Sequence, residues 1–122
     1  MKRFFRFYPL TILAIAVVTV LCLMPIEEPP LQDVAFIDKW AHIVLFGGIC
    51  SVIVFEMAIN HHLRYKWIAP CLAALYGGVV ELMQAYFTTC RSGDMLDFYA
   101  DAVGAFVLFP VALFVCKRMP LR

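Results

Sequence analysis

The sequence predicts an all-α membrane protein, in which one domain spanning residues 1–122 forms a four-helix transmembrane bundle. Of the 122 residues, 64% are hydrophobic and only 16% are charged. A soluble domain is usually about 45–50% apolar and about 25% charged, and a chain this short cannot bury so much apolar surface in its own core. The formal net charge of +1 gives no electrostatic basis for binding nucleic acid. Lipid is therefore the expected surrounding.

Four apolar runs predict the helices, and they cover about residues 7–24, 40–59, 67–87 and 98–116. Each run has about 20 residues, which is the length that crosses a hydrocarbon core of about 30 Å. The first run follows three basic residues, Lys2, Arg3 and Arg6, and no small-residue cleavage site comes after it. This pattern favours an uncleaved signal anchor over a removable signal peptide.

The distribution of basic residues predicts the orientation of the bundle. Eight of the ten Lys and Arg residues lie in the N-terminal segment, in the loop between the second and third runs, and in the C-terminal tail. Lys39 and Arg91 are the two that belong to the other ends of the helices. Because cytoplasmic loops carry an excess of Lys and Arg, we expect both termini to be cytoplasmic.

Cysteine usage points to packing. The five cysteines are Cys22, Cys50, Cys71, Cys90 and Cys116, and they form no CxxC pair or zinc-ligand spacing. Four of them lie in apolar runs, where cysteine behaves as a small hydrophobic residue. A disulfide between Cys22 and Cys90 is the alternative.

Ionisable and amide side chains gather at the outer ends of three predicted helices. They are Asp38, Lys39 and His42 on the second helix, Glu81 and Gln84 on the third, and Arg91, Asp94, Asp97 and Asp101 at the start of the fourth. Spacings of three, four and seven residues place the members of each set on one stripe of a helix. A charge that faces lipid at a helix centre costs about 2.5–3.5 kcal/mol, so the three stripes are expected to face one another. These nine residues are the candidate binding residues.

Three of these residues are candidates for catalysis. Glu81 comes first, because carboxylates within membrane helices are usually functional. His42, with Asp38 one turn away, is a candidate acid, base or proton-relay group, and Asp97 is the third candidate. Arg91 either neutralises nearby carboxylates or captures a phosphate or carboxylate with its planar guanidinium group. The sequence does not identify a cofactor.

The inner end of the second helix carries a different set of charges. Glu56 lies close in sequence to Arg64 and Lys66, which predicts an ion pair at the membrane interface. His61 and His62 in the same loop are expected to be solvated, because no third metal ligand lies nearby.

Three motifs follow one another in the chain: Asp38-Lys39-x-x-His42-x-x-x-Phe46-Gly47, then Gly77-x-x-x-Glu81-x-x-Gln84, then Arg91-x-x-Asp94-x-x-Asp97-x-x-x-Asp101-x-x-Gly104. In this order they resemble the VanZ-like family of small bacterial membrane proteins, and the match covers residues 38–104. The resemblance implies a multi-pass protein of the bacterial inner membrane with a role in the cell envelope. The family's namesake is associated with low-level resistance to the glycopeptide teicoplanin. The family commonly has Asn where this chain has Asp101, so this chain carries an additional negative charge or proton site.

The first functional hypothesis is a polar pocket on the outer face that binds an envelope component, such as an envelope lipid or a cell-wall precursor. Arg91 and Lys39 would hold an anionic group, while Glu81, Asp97 and His42 would shape or protonate the site. Five carboxylates oppose only two basic groups in this layer. A cation, a protonated amine or a metal therefore suits the pocket at least as well.

Two alternatives come from other functional classes. One is a membrane-embedded enzyme that acts on an envelope lipid or precursor, either by acid–base chemistry or with a divalent metal held by His42, Glu81, Asp97 and Asp101. The other is a small proton-linked transporter, in which Glu56 would be the proton-binding group at the inner end of the second helix. Four helices per chain form a narrow bundle, so a transport pathway would call for a homo-oligomer.

Overall fold

The computed structural model describes residues 8–23, 37–87 and 95–119, and all regular structure within these ranges is helical. The helices are α1 (Pro9–Leu23), α2 (Ile37–Ile59), α3 (Ile68–Phe87) and α4 (Met95–Arg118), with one 3₁₀ turn at Leu63–Tyr65. The predicted all-α class is confirmed. Both α2 and α4 begin three residues before the apolar runs that predicted them, since polar residues also occupy their first turns.

Three of the described helices are long and apolar enough to cross a membrane, through the segments Trp40–Ile59, Ile68–Tyr86 and Phe98–Arg118. The chain is accordingly a multi-pass membrane protein. Helix α1 has 15 residues, which corresponds to a length of about 22 Å. It is shorter than the hydrocarbon core of about 30 Å, and the residues on both sides of it lie outside the described ranges.

Exposed aromatic side chains mark both ends of the bundle. Trp40, Tyr86 and Tyr99 lie where α2 begins, α3 ends and α4 begins, and Tyr65 and Trp67 lie at the opposite end. Trp and Tyr are enriched at the two interfaces between a membrane and water. Trp67 and Tyr86 are separated by 19 residues, or about 28 Å along a helix. The two aromatic belts are therefore spaced as the two faces of a bilayer core require.

The helices alternate in direction along the chain, and α2 contacts the other three. The backbones of α2 and α4 come closest near two glycines. A Cβ atom on Gly104 would overlap the main-chain oxygen of Ile43, and a Cβ atom on Gly47 would overlap the side chain of Leu108. Small residues permit such close approach between membrane helices. This contact fixes α4 against α2 within one turn of His42.

A Schellman motif ends α2. The amide of His62 donates to the carbonyl of Met57 at 2.7 Å, and the amide of His61 donates to the carbonyl of Ala58 at 3.2 Å. His61 has a φ of 58°, which is the left-handed conformation that the residue after the C-cap adopts in this motif. The motif reverses the chain toward α3 and brings His62 beside Tyr8, with Tyr8 Oη 2.7 Å from His62 Nδ1.

Candidate functional site

His42 of α2, Glu81 of α3 and Asp101 of α4 meet in the interior of the bundle, and we call them the His–Glu–Asp cluster. His42 Nδ1 lies 2.6 Å from Asp101 Oδ1 and 4.0 Å from Glu81 Oε1. The exposed fractions of the three residues are 2%, 8% and 0%, respectively. Each of three helices thus contributes one ionisable side chain to the same buried place. The three offer potential metal-ligand atoms that all lie within 4.8 Å of one another.

The cluster lies below the nearer aromatic belt. Glu81 precedes Tyr86 by five residues on α3, which is about 7.5 Å along the helix. At that depth water is scarce, and charges interact more strongly than they do at the surface. The charge state of the cluster must therefore be balanced by groups within the protein or by a bound ligand.

Neighbouring small and aromatic residues set the geometry of the cluster. The imidazole of His42 stacks on the Phe46 ring one turn along α2, with centroids 6.1 Å apart and an angle of 4° between the planes. Gly77 lies one turn before Glu81, and a Cβ atom there would come within 2.7 Å of Asp101 Oδ2. The missing side chain at Gly77 lets α3 approach the Asp101 carboxylate closely enough for Glu81 to reach His42.

Two carboxyl groups lie against one imidazole, so the cluster can hold a proton or a cation between its members. In neutral His42, Nδ1–H donates to Asp101 Oδ1, which leaves Nε2 as the basic nitrogen. A histidine held in this way by a carboxylate is suited to proton transfer.

Gln84 lies one turn beyond Glu81 and ties α3 to α1. Its Nε2 donates to the main-chain oxygen of Cys22 at 2.8 Å. Cys22 is in the last turn of α1, where carbonyl groups have no partner within the helix. Gln84 therefore satisfies the C-terminal end of α1, a contact that its position on the polar stripe did not predict.

Glu56 caps the other end of α1. Its carboxylate accepts hydrogen bonds from the amides of Leu10 and Thr11 at 2.5 and 3.2 Å and from the Thr11 hydroxyl at 2.7 Å. The predicted ion pair with Arg64 or Lys66 is wrong: the guanidinium of Arg64 lies over the Tyr65 ring, 4.6 Å from its centroid. The amides at the start of a helix have no partner within it, and a membrane offers them no water. Buried Glu56 supplies the missing acceptor.

A signal for this cap was present in the sequence. Pro9 is typical of the first position of a helix, the residue before it is Tyr8, and the first turn of α1 has no acidic residue. A helix start of this kind in a membrane needs an acceptor from another segment. The prediction that both loop histidines are solvated is wrong for His62, which is half-buried against Tyr8, whereas His61 is exposed.

The remaining candidate site residues cannot be placed within the cluster. Asp38 and Lys39 belong to the first turn of α2, and Asp97 to the first turn of α4, but their side chains lie outside the described part of the structure. Arg91 and Asp94 lie wholly outside the described residues. The predicted shared interior of His42, Glu81 and Asp97 is thus observed for the first two, with Asp101 as the carboxylate that contacts the imidazole.

Among the described cysteines, Cys50, Cys71 and Cys116 are free thiols, and Cys50 and Cys116 are buried. Cys50 and Cys116 fill space in the apolar core, as their positions in the sequence predicted, whereas Cys71 is exposed. Cys90 lies outside the described residues, and the disulfide alternative with Cys22 stays a prediction.

Comparisons of this chain with models of protein families, with curated proteins and with solved structures yield no match. The resemblance to VanZ-like proteins rests on the three sequence motifs. The chemistry of the His–Glu–Asp cluster rests on its own geometry.

Proposed function

We propose that this chain is a VanZ-like, four-span protein of the bacterial inner membrane that binds a component of the cell envelope at the outer ends of its helices. The observation that carries the proposal is the His–Glu–Asp cluster, to which three helices each contribute one buried ionisable group. Apolar side chains would pack the same space without desolvating any charge. Ionisable groups held at one depth on three helices therefore support a ligand-binding role.

The charge of the cluster suggests which part of the ligand it contacts. Its two carboxylates and one imidazole suit a protonated amine or a metal cation. A phosphate or carboxylate of the same ligand would fit Arg91 and Lys39, which the sequence places toward the same end of the bundle. An envelope lipid or precursor that carries both a positive and a negative group would match these two sets of residues.

The direction of the helices supports an outward-facing cluster. Arg64, Lys66, Lys117 and Arg118 lie at the end of the described bundle opposite to the cluster, and basic residues favour the cytoplasmic side. Reporter fusions after Asn60 and after the last residue should both report the cytoplasm. An external signal from either fusion would contradict the orientation.

A paired experiment tests the binding role. Glu81→Gln removes a charge with little change of shape, so it should abolish ligand binding while the yield of folded protein stays normal. Arg91→Lys should weaken binding if the planar guanidinium group of Arg91 holds an anion of the ligand. Binding is measured by native mass spectrometry of lipids that copurify with the full-length protein, and activity by teicoplanin susceptibility and envelope stress in cells.

Thr11→Val is the matched control, because it weakens the Glu56 contact at the opposite end of the bundle and leaves the cluster intact. It should reduce stability and leave ligand binding unchanged. If Glu81→Gln retains the copurifying lipid, or if binding falls only in step with the yield of folded protein in all variants, the binding role is wrong.

A second candidate function is acid–base chemistry on the bound envelope component. The hydrogen bond of 2.6 Å between His42 and Asp101 favours it, because the carboxylate orients the imidazole and leaves Nε2 as a base. His42→Gln should then retain the lipid and lose its conversion, as measured by mass spectrometry of lipids incubated with proteoliposomes. Recovery of the lipid unchanged from wild-type proteoliposomes would count against this function.

No observation favours the transport alternative. His42 and Glu56 are 14 residues apart on α2, or about 21 Å, and Glu56 is occupied by the start of α1. The large buried side chains of α2 between them are apolar: Phe46, Ile49, Cys50, Ile53 and Val54. These buried side chains of α2 offer no group to carry a proton between His42 and Glu56.

A further inference from the structure

We infer that the His–Glu–Asp cluster binds one divalent transition-metal ion, with Zn²⁺ as the best match. The inference rests on the proposed function, since it identifies the cation that the same site would take. Imidazole is a good ligand for zinc and iron, whereas Ca²⁺ and Mg²⁺ prefer oxygen ligands alone. One imidazole nitrogen with two carboxylates is a ligand set that Zn²⁺ accepts, and three protein ligands leave a position open for a further ligand.

The geometry is close to what a metal requires. Tetrahedral zinc with bonds of about 2.0–2.1 Å holds its ligand atoms about 3.3 Å apart. The distance from His42 Nδ1 to Asp101 Oδ1 is 2.6 Å and that to Glu81 Oε1 is 4.0 Å. The first distance must open and the second must close, each by about 0.7 Å, to reach the tetrahedral separation. The Glu81 side chain, with three rotatable torsions, would close the second distance, and a small tilt of the Asp101 carboxylate would open the first distance.

The proton balance of binding is simple. The metal takes the place of the hydrogen between Nδ1 and Asp101 Oδ1. From neutral imidazole that proton moves to Nε2, and from imidazolium it is released to solvent. Two ionised carboxylates balance the charge of a divalent cation held between them.

The position of Asp101 agrees with this role. It is fully buried, and Gly77 stands directly behind its carboxylate, where a Cβ atom would lie 2.7 Å from Oδ2. The close contact of Gly104 with the Ile43 backbone holds the start of α4 against α2. Rigid helices thus preset two of the ligands, while the longer Glu81 side chain can adjust.

The test is zinc binding to the full-length protein, purified without a polyhistidine tag and reconstituted in nanodiscs. His61→Asn and His62→Asn are introduced first, because two adjacent histidines in a loop bind zinc adventitiously. Isothermal titration with Zn²⁺ should give one site per chain. Asp101→Asn, Glu81→Gln and His42→Gln should each weaken binding by at least about 100-fold, since loss of even an outer-shell partner costs about 10–100-fold.

Two further measurements sharpen the test. X-ray absorption at the zinc edge should report a shell of nitrogen and oxygen ligands without sulfur, which excludes binding by the free thiols. Ca²⁺ and Mg²⁺ should not compete with Zn²⁺ at equal concentration. Thr11→Val, which leaves the cluster intact, should bind zinc as the parent does.

The outcomes separate the metal inference from the proposed function. Sulfur in the shell, wild-type affinity in all three cluster variants, or no binding in the micromolar range or tighter would each overturn the metal site. If zinc does not bind but Glu81→Gln still abolishes envelope-lipid binding, the metal site is wrong and the proposed function stands. If zinc binds as expected but Glu81→Gln keeps lipid binding and phenotype, the metal site is supported and the proposed function is wrong.

Discussion

Removing the carboxylate of Glu56 should detach the start of α1 from the bundle. Glu56→Ala leaves two main-chain amides and the Thr11 hydroxyl without their acceptor. Because Glu56 is buried, with an exposed fraction of 3%, water does not readily replace it. The substitution therefore tests whether a side chain from α2 stabilises the start of α1, where the contacted Leu10 lies 46 residues earlier in the chain.

The expected loss of unfolding free energy can be ranked across three variants. Each buried donor left without an acceptor costs about 1–3 kcal/mol, and removal of an N-cap costs about 0.5–2 kcal/mol. Relief from burying a charge offsets part of this, so Glu56→Ala should lower the free energy of unfolding by about 3 kcal/mol. Glu56→Gln keeps one acceptor oxygen and should cost roughly 1–2 kcal/mol. Thr11→Val loses one hydrogen bond and should cost about 1 kcal/mol.

Equilibrium unfolding in mixed detergent gives these free energies, and hydrogen-exchange mass spectrometry locates the effect. Amides of Pro9–Leu23 should lose protection in Glu56→Ala, while peptides from α3 and α4 should change little. Arg64→Gln and Lys66→Gln serve as controls and should stay within about 0.5 kcal/mol of wild type. Equal losses of stability in these controls would support the interfacial ion pair. Unchanged exchange of the α1 amides in Glu56→Ala would refute the cap.

Two other perturbations follow from the backbone. Gly104→Ala should lower the thermal stability of the purified protein by about 2 kcal/mol or more, because its methyl group would overlap the Ile43 carbonyl. Gly48→Ala places nothing within 4 Å of the added atom and should leave stability unchanged or slightly raised. If Gly48→Ala lowers stability as much as Gly104→Ala does, the overlap with Ile43 is not the cause of the Gly104→Ala effect. His61→Gly should stabilise by about 0.5–1 kcal/mol by removing a side chain from a left-handed residue, whereas His61→Ala should bring no gain in the same melting assay.

The apolar runs predicted the helices well because length and composition are local properties. Polar residues at regular spacings also indicated that His42 and Glu81 would face the interior, since a membrane penalises the opposite orientation. Both conclusions follow from one helix considered at a time. They need no knowledge of how the helices are offset along the membrane normal.

The offset itself could not be predicted. Asp97 and Asp101 are four residues apart and share one face of α4, so spacing does not say which of them lies level with His42. The contact of Gly104 with the Ile43 backbone sets that level, and it places Asp101 beside the imidazole. Likewise, the cap at Glu56 depends on where α1 begins relative to α2, which is a property of the packed bundle.

The described structure contains six buried polar or charged residues, namely Thr11, His42, Glu56, Glu81, Gln84 and Asp101. Glu56 accepts hydrogen bonds from the first amides of α1 and from the Thr11 hydroxyl, and Gln84 donates to a carbonyl of its last turn. Those three have a structural role, because a helix whose ends are buried in a membrane protein must find partners for them. The other three satisfy neither end of α1 and instead lie against one another in the bundle interior. Apolar side chains would pack the same space without burying ionisable groups, and this is why we propose ligand binding at the His–Glu–Asp cluster.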